Sequence, residues 1–271
     1  MEVSRPVQRL TFGAGGVGRG PRTLPEEVAV ALSFNGTTQA VMMATPADLI
    51  DFAYGFSMTE GIATPDEIAS IEVVEVPNGI DLQVWLHPSA EARLLKRRRS
   101  MAGPVGCGLC GIDSLDEALR SPKPIPQSSF TMTPAQVRHA IAALPAAQPL
   151  HDATRAVHAA GFWSGGLLAT REDVGRHNAL DKLIGHLIRH DPPTGAILLT
   201  SRVSIDMVQK VAAFGAPVLI AVSAPTAHAV RLADQAGLTL IALARPDRFE
   251  VFTHPARLIP DDLFTETANV A

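Results

Sequence analysis

The chain reads as an α/β protein, with a three-layer α/β/α domain in its C-terminal half and a smaller α+β domain before it. Three observations predict this. The runs "GAILLT" (195–200), "APVLIAV" (216–222) and "LTLIALA" (238–244) are short and nearly continuous in apolar residues, as strands buried on both faces are. The stretches joining them are long enough for the helical crossovers that parallel strands need. The first half instead sets apolar runs around Asn-Gly dipeptides, the sign of antiparallel hairpins.

Residues 1–25 are rich in Gly, Arg and Pro and read as a flexible tail. Their "GAGGVG" has the spacing of a dinucleotide fingerprint at Gly13, Gly15 and Gly18, but "RGPRTLPEE" follows where a helix should open, so the match is set aside. "VAVALSFNGTTQAVMM" (28–43) predicts a hairpin turning at Asn35-Gly36. Thr45-Pro46 then opens a helix over "PADLIDFAYGFSMTEG", with Thr45 as cap, Asp48 in the first turn and Gly61 as the stop. The same start recurs as "TPDE" at 64 and "TPAQ" at 133, each with a capping-box partner, Glu67 or Gln136. "SIEVVEV" and "IDLQVWL" flank Pro77-Asn78-Gly79 as a second hairpin, and "SAEARLLKRRR" predicts a short helix. The smaller domain therefore spans 26–121 and ends in a cysteine loop, a proline-rich joint covers 122–126, and the three-layer domain fills 127–271. In that domain "AVHAAGFWS" and "GLLAT" precede helices over 173–190, 204–214 and 224–237. Phe162 and Trp163 read as core.

A net charge of −4 gives no global basic field to hold nucleic acid. No run reaches the roughly 18 apolar residues of a membrane span, and "MEVSRPVQRL" lacks the apolar core of a signal peptide, so a cytoplasmic protein is expected. Two cysteines in 271 residues are too few for a secreted disulfide scaffold.

Both cysteines, Cys107 and Cys110, lie in "GPVGCGLCGID" (103–113). A structural zinc wants four ligands, and no partner pair at finger spacing accompanies them. The Pro-x-x-Cys-x-x-Cys string of zinc deaminases comes with a His-x-Glu triplet that is missing here. A redox pair normally sits at a helix start, whereas the next helix is expected at Ser114, with Glu117 closing its capping box, beyond useful reach of the helix dipole. Gly103, Gly106, Gly108 and Gly111 suit a thiol on a loop that must move. Lys96, Arg97, Arg98 and Arg99 just upstream would favour thiolate or persulfide anion. No permanently bound metal is expected.

In α/β sheets ligands sit beyond the carboxyl ends of the strands, which here read "TSR" (200–202), "SAPT" (223–226) and "RPDR" (245–248). Their hydroxyl and guanidinium groups suit a phosphate-bearing ligand. Asp173 reads as the cap of the next helix, placing Arg176 and His177 in its first turns, with Leu180, Leu183, Ile184, Leu187 and Ile188 as its buried stripe. His177 reads either as structural or as a proton-handling group near a ligand.

With "GCGLCG" joined to "EDVGRHNALDK", "LTSRVSIDMVQK", "APVLIAVSAPT" and "FTHPARL", the sequence resembles the FdhD family, the formate dehydrogenase accessory sulfurtransferases, from about Glu27 to Leu258. The resemblance implies sulfur carried as a cysteine persulfide from a cysteine desulfurase to the molybdenum cofactor of formate dehydrogenase, the bis-molybdopterin guanine dinucleotide. Carried over by position, Cys107 would bear the persulfide and Cys110 would assist, while Leu243, Ala244, Arg245, Pro246, Asp247 and Arg248 would bind the cofactor. It also implies a homodimer and a second domain resembling the cytidine deaminase fold. A dithiol oxidoreductase and a non-catalytic chaperone that shields the cofactor are the competing readings.

Overall fold

The computed structural model describes residues 1–90 and 122–261. The expected tail over 1–25 is corrected: β1 (Ser4–Gly13) and β2 (Gly16–Pro25) form a long antiparallel hairpin that turns between Gly13 and Gly16. Its sequence hides this because both faces are largely exposed, so the backbone ladder holds it without apolar alternation. Gly16, at φ 105°, supplies the turn geometry that other residues resist. The hairpin is tied down at its base, where Glu26 N–H donates to the Val3 carbonyl and Arg5 pairs with Glu26.

The smaller domain is a four-stranded sheet in the order β4-β3-β6-β5, from β3 (Val28–Phe34), β4 (Thr37–Ala44), β5 (Ile68–Val76) and β6 (Gly79–Leu86). Asn35 (φ 45°) and Gly36 (φ 75°) make the tight turn that Asn-Gly predicts. Alternate residues Val30, Leu32, Phe34, Leu82 and Val84 are buried against Phe52, Ala53 and Phe56 of helix α1 (Leu49–Thr59). "TPDE" does form a capping box, but over a single 3₁₀ turn, Pro65–Glu67.

Thr45 does not cap α1. The helix begins at Leu49 after Asp48, which adopts a left-handed φ of 52°, and the Thr45 hydroxyl instead accepts from Val174 N–H in the other domain. Gly61, also left-handed, follows the helix end as expected.

The larger domain centres on a six-stranded sheet, β12-β11-β10-β9-β7-β8. Strands β9 (Ala196–Leu199), β10 (Val218–Ala221) and β11 (Thr239–Ala242) run parallel. Strand β7 (His158–Trp163) is antiparallel to both β9 and β8 (Leu167–Asp173), and β12 (Glu250–Val251) is antiparallel to β11. On one face Ile197, Leu199, Leu219, Ala221 and Leu240 pack under α4 (Arg176–Ile188), α5 (Ile205–Phe214) and α6 (Ala227–Ala236). On the other, Ala196, Leu198, Val218, Ile220 and Ile241 meet Met132 and α2 (Pro134–Ala143), whose Thr133–Gln136 capping box is as predicted. The α/β class with three layers is thus observed. Short α3 (Pro149–Thr154) precedes β7. No helix among the described residues is long and apolar enough to cross a membrane.

The two parts are joined where α1 crosses α4 at Gly55 and Gly185. A Cβ on Gly55 would stand 1.8 Å from the Asp181 carbonyl oxygen, and one on Gly185 would stand 1.7 Å from that of Asp51. Buried ion pairs flank the crossing. Asp51 is gripped by Arg171 and Arg189 at 2.8 and 2.6 Å, while Lys210 reaches Asp181 and Glu60, both at 2.9 Å. Burial works against the Lys210 ammonium, but Asp181 and Glu60 outweigh it and hold its pKa above the usual lysine value.

Candidate functional site

The carboxyl edge of the large sheet gathers the polar loops. Thr200, at the end of β9, is fixed by its hydroxyl, which accepts from Ala159 N–H at 2.9 Å. The loops after β9 and β10 are stitched together, Val203 N–H donating to the Ala224 carbonyl and Thr226 N–H to that of Val203. Thr226 then caps α6 through Ala229 N–H. After β11, Leu243 takes a left-handed φ of 51° and Ala244 is buried, while Arg245, Pro246, Asp247 and Arg248 turn out into solvent. A bond from Arg245 N–H to the Arg248 carbonyl, at 2.7 Å, closes that turn. Arg245 Nη1 donates to the Val222 and Ala244 carbonyls, so this guanidinium is partly engaged in holding the strand end and Arg248 is the more available cation.

Because β7 is antiparallel to β9 and β8 to β7, His158 and Asp173 also reach this edge. Asp173 is the last residue of β8, not the formal cap of α4, which is Gly175. Its fully buried carboxylate accepts from Gly175 N–H (2.7 Å), Asn178 Nδ2 (3.0 Å), Thr45 N–H (3.0 Å) and Lys182 Nζ (2.6 Å). Lys182 also donates to the Thr45 carbonyl and Asn178 to that of Met43. Such satisfaction is what makes a buried charge pair tolerable, and here it pins the smaller domain to the start of α4.

That anchoring sets His177, which is 12% exposed, against Asp206 in the first turn of α5, and the two form an ion pair. Burial opposes the Asp206 charge, but hydrogen bonds and charge from His177, with Ser204, hold its pKa down at about 2. A folded-state value below the ordinary 3.8 means that the pair contributes stability above about pH 4 and loses it as the pH falls toward 2. The shift corresponds to about 2 kcal/mol. Asp206→Asn is therefore expected to lower unfolding free energy at pH 7 by roughly this amount and to flatten its fall between pH 4 and 2, measured by denaturant titration. Nearby, His158 is held below the usual histidine value by burial and by Arg176, His151 and His177.

The residues that the resemblance implies, Leu243–Arg248, which include the strand end read as "RPDR", thus lie on the same edge as His177. Cys107, Cys110 and Lys96–Arg99 lie outside the described residues, as do the helices expected from 89 to 99 and at 114, apart from Ser89 and Ala90.

The model of the FdhD/NarQ family matches residues 25–259. The chain belongs to the FdhD/NarQ family. This FdhD/NarQ chain is 52% identical over 260 residues to the sulfur carrier protein FdhD of Agrobacterium fabrum, covering 94% of this chain and 96% of the relative. It is 52% identical over 263 residues to that of Brucella abortus, covering 95% and 98%. A solved structure from Desulfotalea psychrophila, described as a formate dehydrogenase accessory protein, superposes with a TM-score of 0.73 at 27% identity, covering 95% of this chain and all of that one.

Sequence reasoning missed Asp206 and His158 in this FdhD/NarQ chain. The available signal was an aspartate two residues into a helix that opens just after a strand end, and a histidine at the head of an apolar strand. Neither has meaning until the sheet order places β7 beside β9.

Proposed function

We propose that this protein is a sulfurtransferase of the carrier type. It takes sulfur as a persulfide on Cys107 from a cysteine desulfurase and passes it to the bis-molybdopterin guanine dinucleotide of a formate dehydrogenase. The observation that carries the reading is identity of 52% over nearly the whole length of two sulfur carrier proteins. The cargo is a substrate, held while sulfur is delivered. Its guanine nucleotide end docks on Leu243–Arg248, where Arg248 offers a forked donor to phosphate and the left-handed Leu243 turns the backbone out of the sheet. The "SAPT" loop (223–226) next to it supplies backbone groups and hydroxyls for the base. Cys110 assists Cys107, and the protein works as a cytoplasmic homodimer, as the family resemblance implies.

Arg248→Ala tests the docking. It is expected to weaken guanosine diphosphate binding by about tenfold or more, the order of one lost charge-assisted contact. Maturation of formate dehydrogenase should fall with it, while Cys107 still takes up sulfur. Unchanged nucleotide affinity and full maturation would overturn the assignment.

A further inference from the structure

The hairpin β1–β2 has no task in the carrier reading, and its surface is unlike that of the rest of the chain. Every residue from Arg5 to Arg19 is exposed, although a two-stranded hairpin alone is at best marginally stable in water. Its base is held by the bond from Glu26 N–H to the Val3 carbonyl and by Arg22, whose Nη2 donates to the Thr154 carbonyl of α3 at 3.3 Å. Beyond that base the register sets Phe12 opposite Val17 and Leu10 opposite Arg19, and the period of two puts all four on one face. Phe12 is 75% exposed and Val17 64%, so the arm ends in bare apolar surface.

A second bare surface lies on the smaller sheet, on the face opposite α1. There Val41 and Met43 of β4, both about half exposed, stand opposite Ala31 and Ala29 of β3, and Asp81 of β6 pairs with Ala31 on its other side. The two alanines form a low strip between the larger side chains of β4 and β6. Charge separates the arm from this sheet. Residues 3–25 hold Arg5, Arg9, Arg19 and Arg22 and no carboxylate, whereas residues 26–86 hold ten carboxylates and no Lys, Arg or His. Of those carboxylates, Asp51 and Glu60 serve the larger domain. Asp81 is held by the neutral Ser33 and Gln83, at 2.7 and 2.9 Å, and the exposed Glu72 of β5 pairs with Gln83 on the same face.

We infer that the hairpin docks on this sheet face of a second copy of the chain, each copy lending its arm to the other. The inference supplies an interface for the homodimer of the reading above and rests on that part of it alone. Leu10, Phe12 and Val17 lie over Ala29 and Ala31 against Val41 and Met43, and Arg19 turns toward Asp81 and Glu72. A second copy is the fitting occupant because one chain carries both members of the complement, a basic apolar arm and an acidic sheet with an apolar strip. Its own arm leaves the face bare, as the exposure of Val41 and Met43 shows. Two arms exchanged about a twofold axis close the assembly at two copies. They also make the contact twice, which patches this small need in order to approach the roughly 1,200 Å² of a stable interface.

The test follows the full chain by sedimentation equilibrium across micromolar concentrations. Phe12→Asp on the arm and Val41→Lys on the sheet, both at exposed positions, are each expected to raise the dimer dissociation constant about 100-fold, a tenfold loss at each of the two contacts. In a mixture of isotopically labelled and unlabelled chains, benzoylphenylalanine in place of Phe12 should crosslink on irradiation to residues 28–44 of the other copy. Monomer at every concentration would overturn the homodimer and the arm together. A dimer that either variant leaves intact, or a crosslink confined to one chain, would overturn the arm alone. Crosslinking to formate dehydrogenase instead, or a monomer held through Phe12 on vesicles of anionic lipid, would give the arm another occupant and overturn the inference as well.

Discussion

Gly185→Ala is expected to destabilise the protein by about 3 kcal/mol or more, an overpacking penalty at the upper end of the usual range. The added Cβ would stand 1.7 Å from the Asp51 carbonyl oxygen and 2.7 Å from Gly55 N, and neither backbone atom can rotate away. Relief requires α1 and α4 to separate. That would drag Asp51 from Arg171 and Arg189 and loosen the Lys182 contact to Thr45, so the start of α4 would lose its anchor along with the packing. In a chain of this size the melting temperature should fall by about 10 °C. Gly166→Ala, where the new Cβ meets nothing within 4 Å, is the control and should stay within about 0.5 kcal/mol of the parent. Equal melting temperatures for the two variants would show that the crossing is not as tight as described.

Cys107→Ala is expected to reduce sulfur uptake, and with it maturation of formate dehydrogenase, to the level seen without the protein. A carrier needs one nucleophilic sulfur, and the sequence holds a single other cysteine, Cys110, three residues on. In the sequence Cys107 stands between Gly106 and Gly108, which add no side-chain bulk beside it, and Lys96, Arg97, Arg98 and Arg99 precede it. Cys110→Ala should retain uptake on Cys107, since a persulfide on one sulfur needs no second thiol to form. The competing dithiol reading predicts equal loss in both variants, and the shielding reading predicts no loss in either.

Much of the fold was legible because its signals are local. Asn35-Gly36 specifies a turn whatever surrounds it, and Thr133, Pro134 and Gln136 satisfy a helix start within four residues. Thr45-Pro46 carries the same signature and fails, because its hydroxyl is taken by Val174 N–H, just past the end of β8 and 129 residues away. The hairpin at 4–25 escaped for the opposite reason: its strands bury little, so no apolar period marks them. Gly55 and Gly185 read only as weak points in helices until the two are seen to cross. At the site, the exposed strand ends could be found from the parallel-sheet pattern, whereas the His177–Asp206 pair joins two helix starts that only the β7-β9 neighbour relation brings together.

The central claim, that this protein moves sulfur from cysteine into a formate dehydrogenase, is tested most directly by a chase. Protein loaded with radiolabelled sulfur by a cysteine desulfurase is mixed with formate dehydrogenase made in its absence, and label and activity are followed together. Label should leave Cys107 and appear in the enzyme's cofactor fraction as activity rises, with no transfer from Cys107→Ala. Activity that rises without label, or label that stays on the carrier while activity rises, would contradict the account.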